Sequence, residues 1–363
     1  MPFVLSVSHI DLPYALTQET VREFSRELFG SSFTNIDRLL KVFKNGQVEN
    51  RFLSNDLDWF KKDHTFEEKN DLYIEQAVQY GAIAVKDCLE NEQFLDAPVS
   101  AADIDAFIFV SSTGVATPSI EARIMNILPI NPHAKRIPLW GLGCAGGGSG
   151  LSRAFEYCKA YPKAKVLVLT VELCSLTFQK NDVSKSNLIG TSLFSDGVAC
   201  ALICGDEAAE GIRTKREERF SILDTQSTLM PDSLDVMGWN VKNEGLYVIF
   251  SKDIPSIVEN WLKPNVLTFL QANSIFLEDI AHFIAHPGGK KVIEAYEEAL
   301  GFGPEMTKIS MDILKNYGNM SSATILYVLE RHLELGPDDG EYGLAAALGP
   351  GFSSELLLMR WIS

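Results

Sequence analysis

The chain has 363 residues, is 46% hydrophobic and 22% charged, and carries Lys+Arg 32 against Asp+Glu 48, a formal net charge of -16. That length buries a sizeable core as one large or two medium domains. The acidic surplus argues against a nucleic-acid partner, and an anionic ligand would need a local basic cluster. The start, Met1 to Val7, lacks a charged segment followed by a long apolar run, and no apolar stretch approaches about 18 residues. Neither a signal peptide nor a membrane span is therefore expected. Cys88, Cys144, Cys158, Cys174, Cys200 and Cys204 include no CxxC pair. They read as reduced thiols of a cytoplasmic protein without a metal site.

Residues 17–45 read as helical, with Thr17 as N-cap and apolar positions at Val21, Phe24, Leu28, Ile36, Leu39, Leu40 and Phe43. Arg38, Lys41, Lys44 and Arg51 make this region basic. For any one of them a solvated face is the plainer reading. A helix is expected over 66–91 and a buried strand over 106–110, ended by Ser111-Ser112-Thr113-Gly114. A short helix over 120–128 follows, and Ile137 to Trp140 leads into Gly141-Leu142-Gly143-Cys144-Ala145-Gly146-Gly147-Gly148-Ser149-Gly150. Glycines before the cysteine permit a sharp turn, and small residues after it let a helix start deep in the protein. A cysteine at a helix start is expected to have a lowered pKa, which makes a nucleophilic thiolate. A small buried cysteine at a close helix contact is the competing reading. Apolar strands follow over 166–171 and 197–204, and the charged run 215–219 marks a boundary between halves 1–215 and 216–363.

The second half repeats the first. Asp103-Ile104-Asp105-Ala106-Phe107-Ile108 is echoed 176 residues later by Asp279-Ile280-Ala281-His282-Phe283-Ile284. The strand from Val166 is echoed at the same offset by Tyr342 to Leu348, and the helix opened by Cys144 is echoed 175 residues later from Asn319. Apolar strands alternating with helices imply an α/β fold of duplicated halves, with sheets covered on both faces. That arrangement would put Cys144 and Asn319 at equivalent helix N-termini, facing each other. His286 ends a strand before Pro287-Gly288-Gly289, where open α/β sheets place ligands. Asn319 also suits an N-cap, and a strand-end histidine is often structural. Cysteine, histidine and asparagine at three glycine-marked turns favour a catalytic reading.

At these residues the sequence resembles the type III polyketide synthases, the chalcone and stilbene synthase family of the thiolase-like fold. The motifs are Gly143-Cys144 with glycines after, Ile284-Ala285-His286-Pro287-Gly288-Gly289, Tyr317-Gly318-Asn319-Met320-Ser321-Ser322 and Leu348-Gly349-Pro350-Gly351-Phe352. The resemblance implies a five-layered αβαβα subunit, a homodimer, acyl-CoA and malonyl-CoA as substrates, and no metal or bound organic cofactor. It implies a catalytic triad of Cys144, His286 and Asn319, with the cysteine carrying the growing chain. His286 would hold its thiolate as an ion pair, and His286 and Asn319 would stabilise the enolate left by malonyl decarboxylation.

The same resemblance implies a gatekeeper role for Phe194 and CoA-phosphate binding by Lys44, Lys41 and Arg38, with Lys291 adding to the patch. Departures from the plant enzymes bear on substrate. Val248 stands where they have a second gatekeeper phenylalanine, and Thr117 where they have a methionine reaching into the partner's cavity. Cys174, Thr177, Gly190 and Ser321 are small residues at cavity-lining positions. Small side chains there enlarge the pocket, so a long-chain fatty acyl starter and an alkylpyrone or alkylresorcinol product are expected. The alternative is a single-condensation enzyme like β-ketoacyl-ACP synthase III. HMG-CoA synthase would need a catalytic glutamate, for which Glu121 and Glu172 are candidates only by default. A non-catalytic acyl-binding subunit is disfavoured by retention of all three triad residues.

Overall fold

In this computed structural model, which describes residues 1–30, 32–33, 35–250 and 254–363, nine strands make one continuous sheet. Their order is 280–285, 342–349, 353–362, 219–229, 3–10, 196–204, 165–173, 106–111, 135–140. Strand Ala106–Ser111 pairs parallel with Lys165–Leu173, which pairs antiparallel with Asp196–Cys204. Ile280–Ala285, Tyr342–Gly349 and Ser353–Ile362 repeat that series of pairings. Phe107 stands opposite Leu167, and Phe283 opposite Leu344. The duplication read in the sequence is thus a duplication of register, displaced by one residue at the irregularity between Ile280 and His282.

The two strand sets join through a short seam, Phe3 opposite Ser221 and Val4 opposite Phe220. Beyond it they lie on either side of a shared core. Ile108, Val168 and Ala201 of one set, and Ile284, Ala345 and Leu357 of the other, pack on the same cluster as helices Gly146–Ala160 and Thr324–Leu335. The opposite face of the first set carries helix Phe66–Leu89, and that of the second carries Lys263–Ala272 and Lys290–Leu300. The result is five layers, αβαβα. Strands covered on both faces must be apolar throughout, which is why they read as continuous runs.

The glycine run in Gly146–Ala160 follows from this layering. A Cβ at Gly147 would stand 2.2 Å from the Ser322 carbonyl oxygen, and one at Gly150 would stand 2.7 Å from Val168 Cγ1. Only hydrogen fits at those contacts.

Local departures have local causes. The expected helix over 17–45 is broken. Strand Tyr14–Thr17 precedes helix Gln18–Phe29, which Thr17 caps, and two short helices follow, Ile36–Leu39 and Lys41–Asn45. The helix begun at Ile120 stops at Ile124, and the chain goes on in tighter turns, Asn126 N donating to Arg123 O and Ile127 N to Ile124 O. Ile137 to Trp140 belong to an edge strand, Lys135–Trp140. Helix Phe66–Leu89 opens on a capping box formed by Thr65 and Glu68. Among the described residues, no helix is long and apolar enough to cross a membrane.

Candidate active site

Cys144 occupies a single turn of 3-10 helix, Gly143–Ala145, immediately before the α-helix that starts at Gly146. Gly143 has φ +48, and a Cβ there would meet Pro350 Cδ at 2.7 Å. A Cβ on Gly349 would lie 2.4 Å from the Leu142 carbonyl oxygen. The Leu348-Gly349-Pro350-Gly351 segment therefore packs directly on the cysteine turn, which accounts for its small residues.

Asn319 follows Gly318, whose φ is +74. Its backbone is tied to the segment around Phe194: Asn319 N donates to Leu193 O at 3.0 Å, and Ser195 N donates to Asn319 O at 2.9 Å. Its side chain is tied at both ends. Oδ1 accepts from Ser321 N at 2.8 Å, and Nδ2 donates to Gly288 O at 3.1 Å. The amide carries a second N–H, with no protein acceptor among the described residues. Cys144 Sγ lies 3.9 Å from Asn319 Oδ1 and 3.9 Å from Ser321 Oγ. The two helix starts do face each other.

His286 follows strand Ile280–Ala285, with its N–H donating to Ala346 O at 2.8 Å. It is 1% exposed, and neither ring nitrogen has a partner among the described residues. Gly288, two residues on, accepts from Asn319, so histidine and asparagine are held by one turn. No hydrogen bond joins His286 to Cys144.

Burial sets the charge state. It pushes the Cys144 thiol up to about 12, outweighing the hydrogen bonds to Ser321 and Asn319, with the nearby Glu172 charge pushing the same way. It pushes the His286 imidazole down to about 3. The lowered thiol pKa expected from a helix start is thus corrected: the α-helix opens after Cys144, and desolvation of a thiolate outweighs what its first turn offers. Burial therefore favours the neutral thiol and the neutral imidazole over their charged forms.

A cavity of about 60 Å³ lies beside this site, with Cys174, Thr177, Gly190, Phe194 and Val248 in its wall, together with Phe24, Phe60 and Phe178. Five expected pocket residues are brought together there. Ser321 stands instead against Cys144, and Thr117 is exposed on the surface of the chain. A Cβ on Gly190 would touch both Phe194, at 3.4 Å, and Val248, at 3.5 Å. Phe194 pairs with Asn319 through the backbone, so the cavity begins at the asparagine turn. Phe250 and Trp239 pack on the Phe194 ring at 5.5 and 6.2 Å between centroids. Sequence reading missed both. The signal was present in Phe250, two residues from Val248 and so on the same face of its strand.

The expected basic residues do not converge equally. Arg38, Lys41, Lys44 and Lys291 are all exposed. Lys44 lines a groove of about 830 Å³ with Arg22 and Lys315, beside the carboxylates of Glu19, Glu49 and Asp312, and Arg38, Lys41 and Lys291 are absent from its wall. Lys290, the neighbour of Lys291, is paired with Glu294 at 3.3 Å.

Glu172 is fully buried. It accepts from Ser112 N at 3.1 Å, Ser112 Oγ at 3.1 Å and Ser322 Oγ at 2.5 Å. Burial raises it to about 7 despite those donors. With its oxygens so engaged, it ties the end of strand Lys165–Leu173 to the turn after Asn319. Glu121 is also buried, with one oxygen bonded to Ser119.

Five layers with a cysteine, a histidine and an asparagine at their meeting point define an acyl-condensing enzyme of the thiolase-like fold. Family models described as chalcone and stilbene synthases match the chain, the N-terminal domain over residues 57–207 and the C-terminal domain over 221–363. The chain belongs to the chalcone and stilbene synthase family, the type III polyketide synthases. It is 53% identical over 362 residues to a Bacillus subtilis (strain 168) protein named "Putative chalcone synthase", covering 99% of each chain. It is 30% identical over 349 residues to 1,3,6,8-tetrahydroxynaphthalene synthase of Streptomyces coelicolor, covering 96% of this chain and 89% of that one. The crystal structure of a tetrahydroxynaphthalene synthase from that organism, described as a bacterial type III polyketide synthase, superimposes with a TM-score of 0.89 at 27% identity, covering 99% of each chain.

Proposed function

We propose that this enzyme loads a long-chain fatty acyl group from acyl-CoA onto Cys144 and extends it by repeated condensation with malonyl-CoA. It works as a cytoplasmic homodimer without metal or bound organic cofactor, and releases alkylpyrone- or alkylresorcinol-type products. The carrying observation is the aromatic-walled cavity beside the asparagine turn. Each methylene buried in such a wall contributes about 0.8 kcal/mol.

The chemistry follows from the neutral pair. As Cys144 sulfur attacks the thioester carbonyl, its proton passes to His286, and CoA leaves as the thiol by taking that proton back. Malonyl-CoA then loses CO2. The electrons of the broken C–C bond become an enolate, whose oxygen accepts from the second Asn319 N–H and from an N–H of His286. The enolate carbon attacks the acyl thioester, the new C–C bond forms, and Cys144 sulfur leaves as a thiolate that takes up a proton from solvent through His286; the lengthened chain, now on CoA, returns to Cys144 by the same thioester exchange that loaded the starter. An asparagine donates here without adding a base that would quench the carbanion. CoA phosphates are held by Lys44, with Arg38, Lys41 and Lys291 supplying a wider positive face.

Product profiles by mass spectrometry across C6 to C20 starters test the reading. Long starters should give several extensions and ring closure. Products of one condensation would make it a ketoacyl synthase. Aromatic products from malonyl-CoA alone would make it a counterpart of its tetrahydroxynaphthalene-forming relative. Val248→Phe adds a ring against Gly190 and Phe194, and overpacking costs about 1–3 kcal/mol. The activity ratio of long to short starters should fall about tenfold or more, with short-starter activity retained. An unchanged ratio would place the alkyl chain elsewhere.

A further inference from the structure

Arg51 sits on the strand Asn50–Leu53 and is 2% exposed. Its hydrogen-bond partners are neutral oxygens. Nη1 donates to Thr191 O at 2.7 Å and Phe194 O at 2.8 Å; Nη2 donates to Ser192 O at 2.7 Å and to the Gln18 side-chain oxygen. Nε has no partner among the described residues. A guanidinium buried on carbonyls is costly unless its donors are used, and here they grip the three carbonyls that surround the Phe194 turn. The same segment receives Asn319 N at Leu193 O and gives Ser195 N to Asn319 O. Arg51 therefore holds the backbone on which both Phe194 and Asn319 rest.

Gln18 extends this grip in the other direction. Its Nε2 donates to Ser192 O at 2.9 Å and to Phe43 O at 3.1 Å. Phe43 lies in the short helix Lys41–Asn45, and its carbonyl is among the last of that helix, which needs an outside donor. Lys44 is the next residue. A continuous hydrogen-bonded path thus runs from the helix bearing Lys41 and Lys44, through Gln18 and Arg51, to the Phe194 turn and Asn319.

We propose that Gln18 and Arg51 are positioning residues that couple CoA held at the Lys41–Asn45 helix to the placement of Phe194 and Asn319, so that the CoA portion of a thioester raises turnover and not affinity alone. This rests on the reading of Lys44 as a CoA-binding residue. Binding energy from a remote part of a substrate raises kcat only if it is realised at the reacting centre, and the Gln18–Arg51 path is a physical route by which it reaches Asn319.

The test compares decarboxylation of malonyl-CoA with that of malonyl-N-acetylcysteamine, which has the same reacting thioester and no nucleotide. In the wild type, kcat on malonyl-CoA should exceed that on the short thioester by about tenfold. Gln18→Glu keeps an acceptor for Arg51 but loses the donors to Phe43 O and Ser192 O; the link to the Lys41–Asn45 helix is cut, while Arg51 itself still donates to Ser192 O on the Phe194 side. It should lower the kcat ratio at least fivefold while turnover of the short thioester stays within about twofold. Arg51→Lys should lower kcat on both substrates, since the carbonyl grip itself is lost. Gln18→Met, with melting curves for each variant, covers the case in which the carboxylate impairs folding. A wild-type ratio near one, or equal losses on both thioesters in the Gln18 variants, would overturn the coupling. Lys44→Ala is read separately, as KM for malonyl-CoA. An unchanged KM removes Lys44 as the anchor, while an intact ratio in Gln18→Glu with a raised KM in Lys44→Ala removes the coupling and leaves the anchor.

Discussion

Cys144 is the one cysteine of the chain that is not fully buried, so access selects it for alkylation before its chemistry does. Burial still holds its thiol at about 12 and the His286 imidazole at about 3. Each charge is disfavoured singly, and the thiol becomes a nucleophile by passing its proton to the imidazole during attack. Iodoacetamide should therefore label Cys144 ahead of the other cysteines. In His286→Ala the rate at pH 7 should fall about tenfold or more. Below the thiol pKa the thiolate fraction rises tenfold per pH unit, so the variant's rate should climb with pH and show no plateau below about pH 10. A plateau near pH 6 in that variant would mean that the helix start, not the histidine, stabilises the thiolate. The positions of cysteine, histidine and asparagine were legible because each sits at a glycine-marked turn. Their charge state was not, because desolvation sums over neighbours that come from every layer.

Helix Gly146–Ala160 shows at the scale of an element how a local composition encodes a distant contact. Its glycines are poor helix formers, yet the helix forms because each glycine lets another element approach. Gly147→Ala would drive a methyl into the Ser322 carbonyl, 2.2 Å away, and toward Ile325 Cγ2, 2.6 Å away. Overpacking of this kind costs about 1–3 kcal/mol, and here it also displaces the turn that carries Asn319, Ser321 and Ser322. Loss of activity should exceed loss of stability, as measured by malonyl-CoA decarboxylation beside a urea melt. Gly211→Ala is the control, since its Cβ would meet the Ala208 carbonyl oxygen at an ordinary 3.6 Å; it should change neither. Equal effects of the two substitutions would reduce the glycine run to a matter of helix propensity.

Across the whole molecule, Glu172 is a buried carboxyl that joins the first strand set to the turn after Asn319. Its pKa is about 7 in the fold against an ordinary 4.5, which corresponds to about 3 kcal/mol. The protonated form is the one the fold favours. The stabilisation is complete below about pH 4.5, falls as the unfolded chain ionises, and is lost once pH passes through about 7. Glu172→Gln removes this dependence and keeps an acceptor for Ser112 and Ser322. Between pH 5 and pH 8, the wild type should lose several degrees of Tm more than the variant does. The same fall in both proteins would show that the carboxyl is already ionised in the fold.

The sequence by itself determined the covered strands and the duplication, and it marked the three glycine-flanked turns; the five layers and the triad were what the family resemblance implied. Strands buried on both faces must be apolar along their length, and a close approach leaves glycine as the residue that fits; both constraints are written locally. The family motifs lay at those same constrained turns. The tertiary structure alone decided that thiol and imidazole rest neutral, that Phe250 and Trp239 back Phe194, and that Lys44 lines a groove without Arg38, Lys41 or Lys291. It alone showed that Glu172 ties its strand to the turn after Asn319 and that Gln18 links the Lys44 helix to the Phe194 turn. Each of these depends on distances between residues far apart in the chain, and burial, screening and hydrogen bonding follow those distances rather than sequence separation.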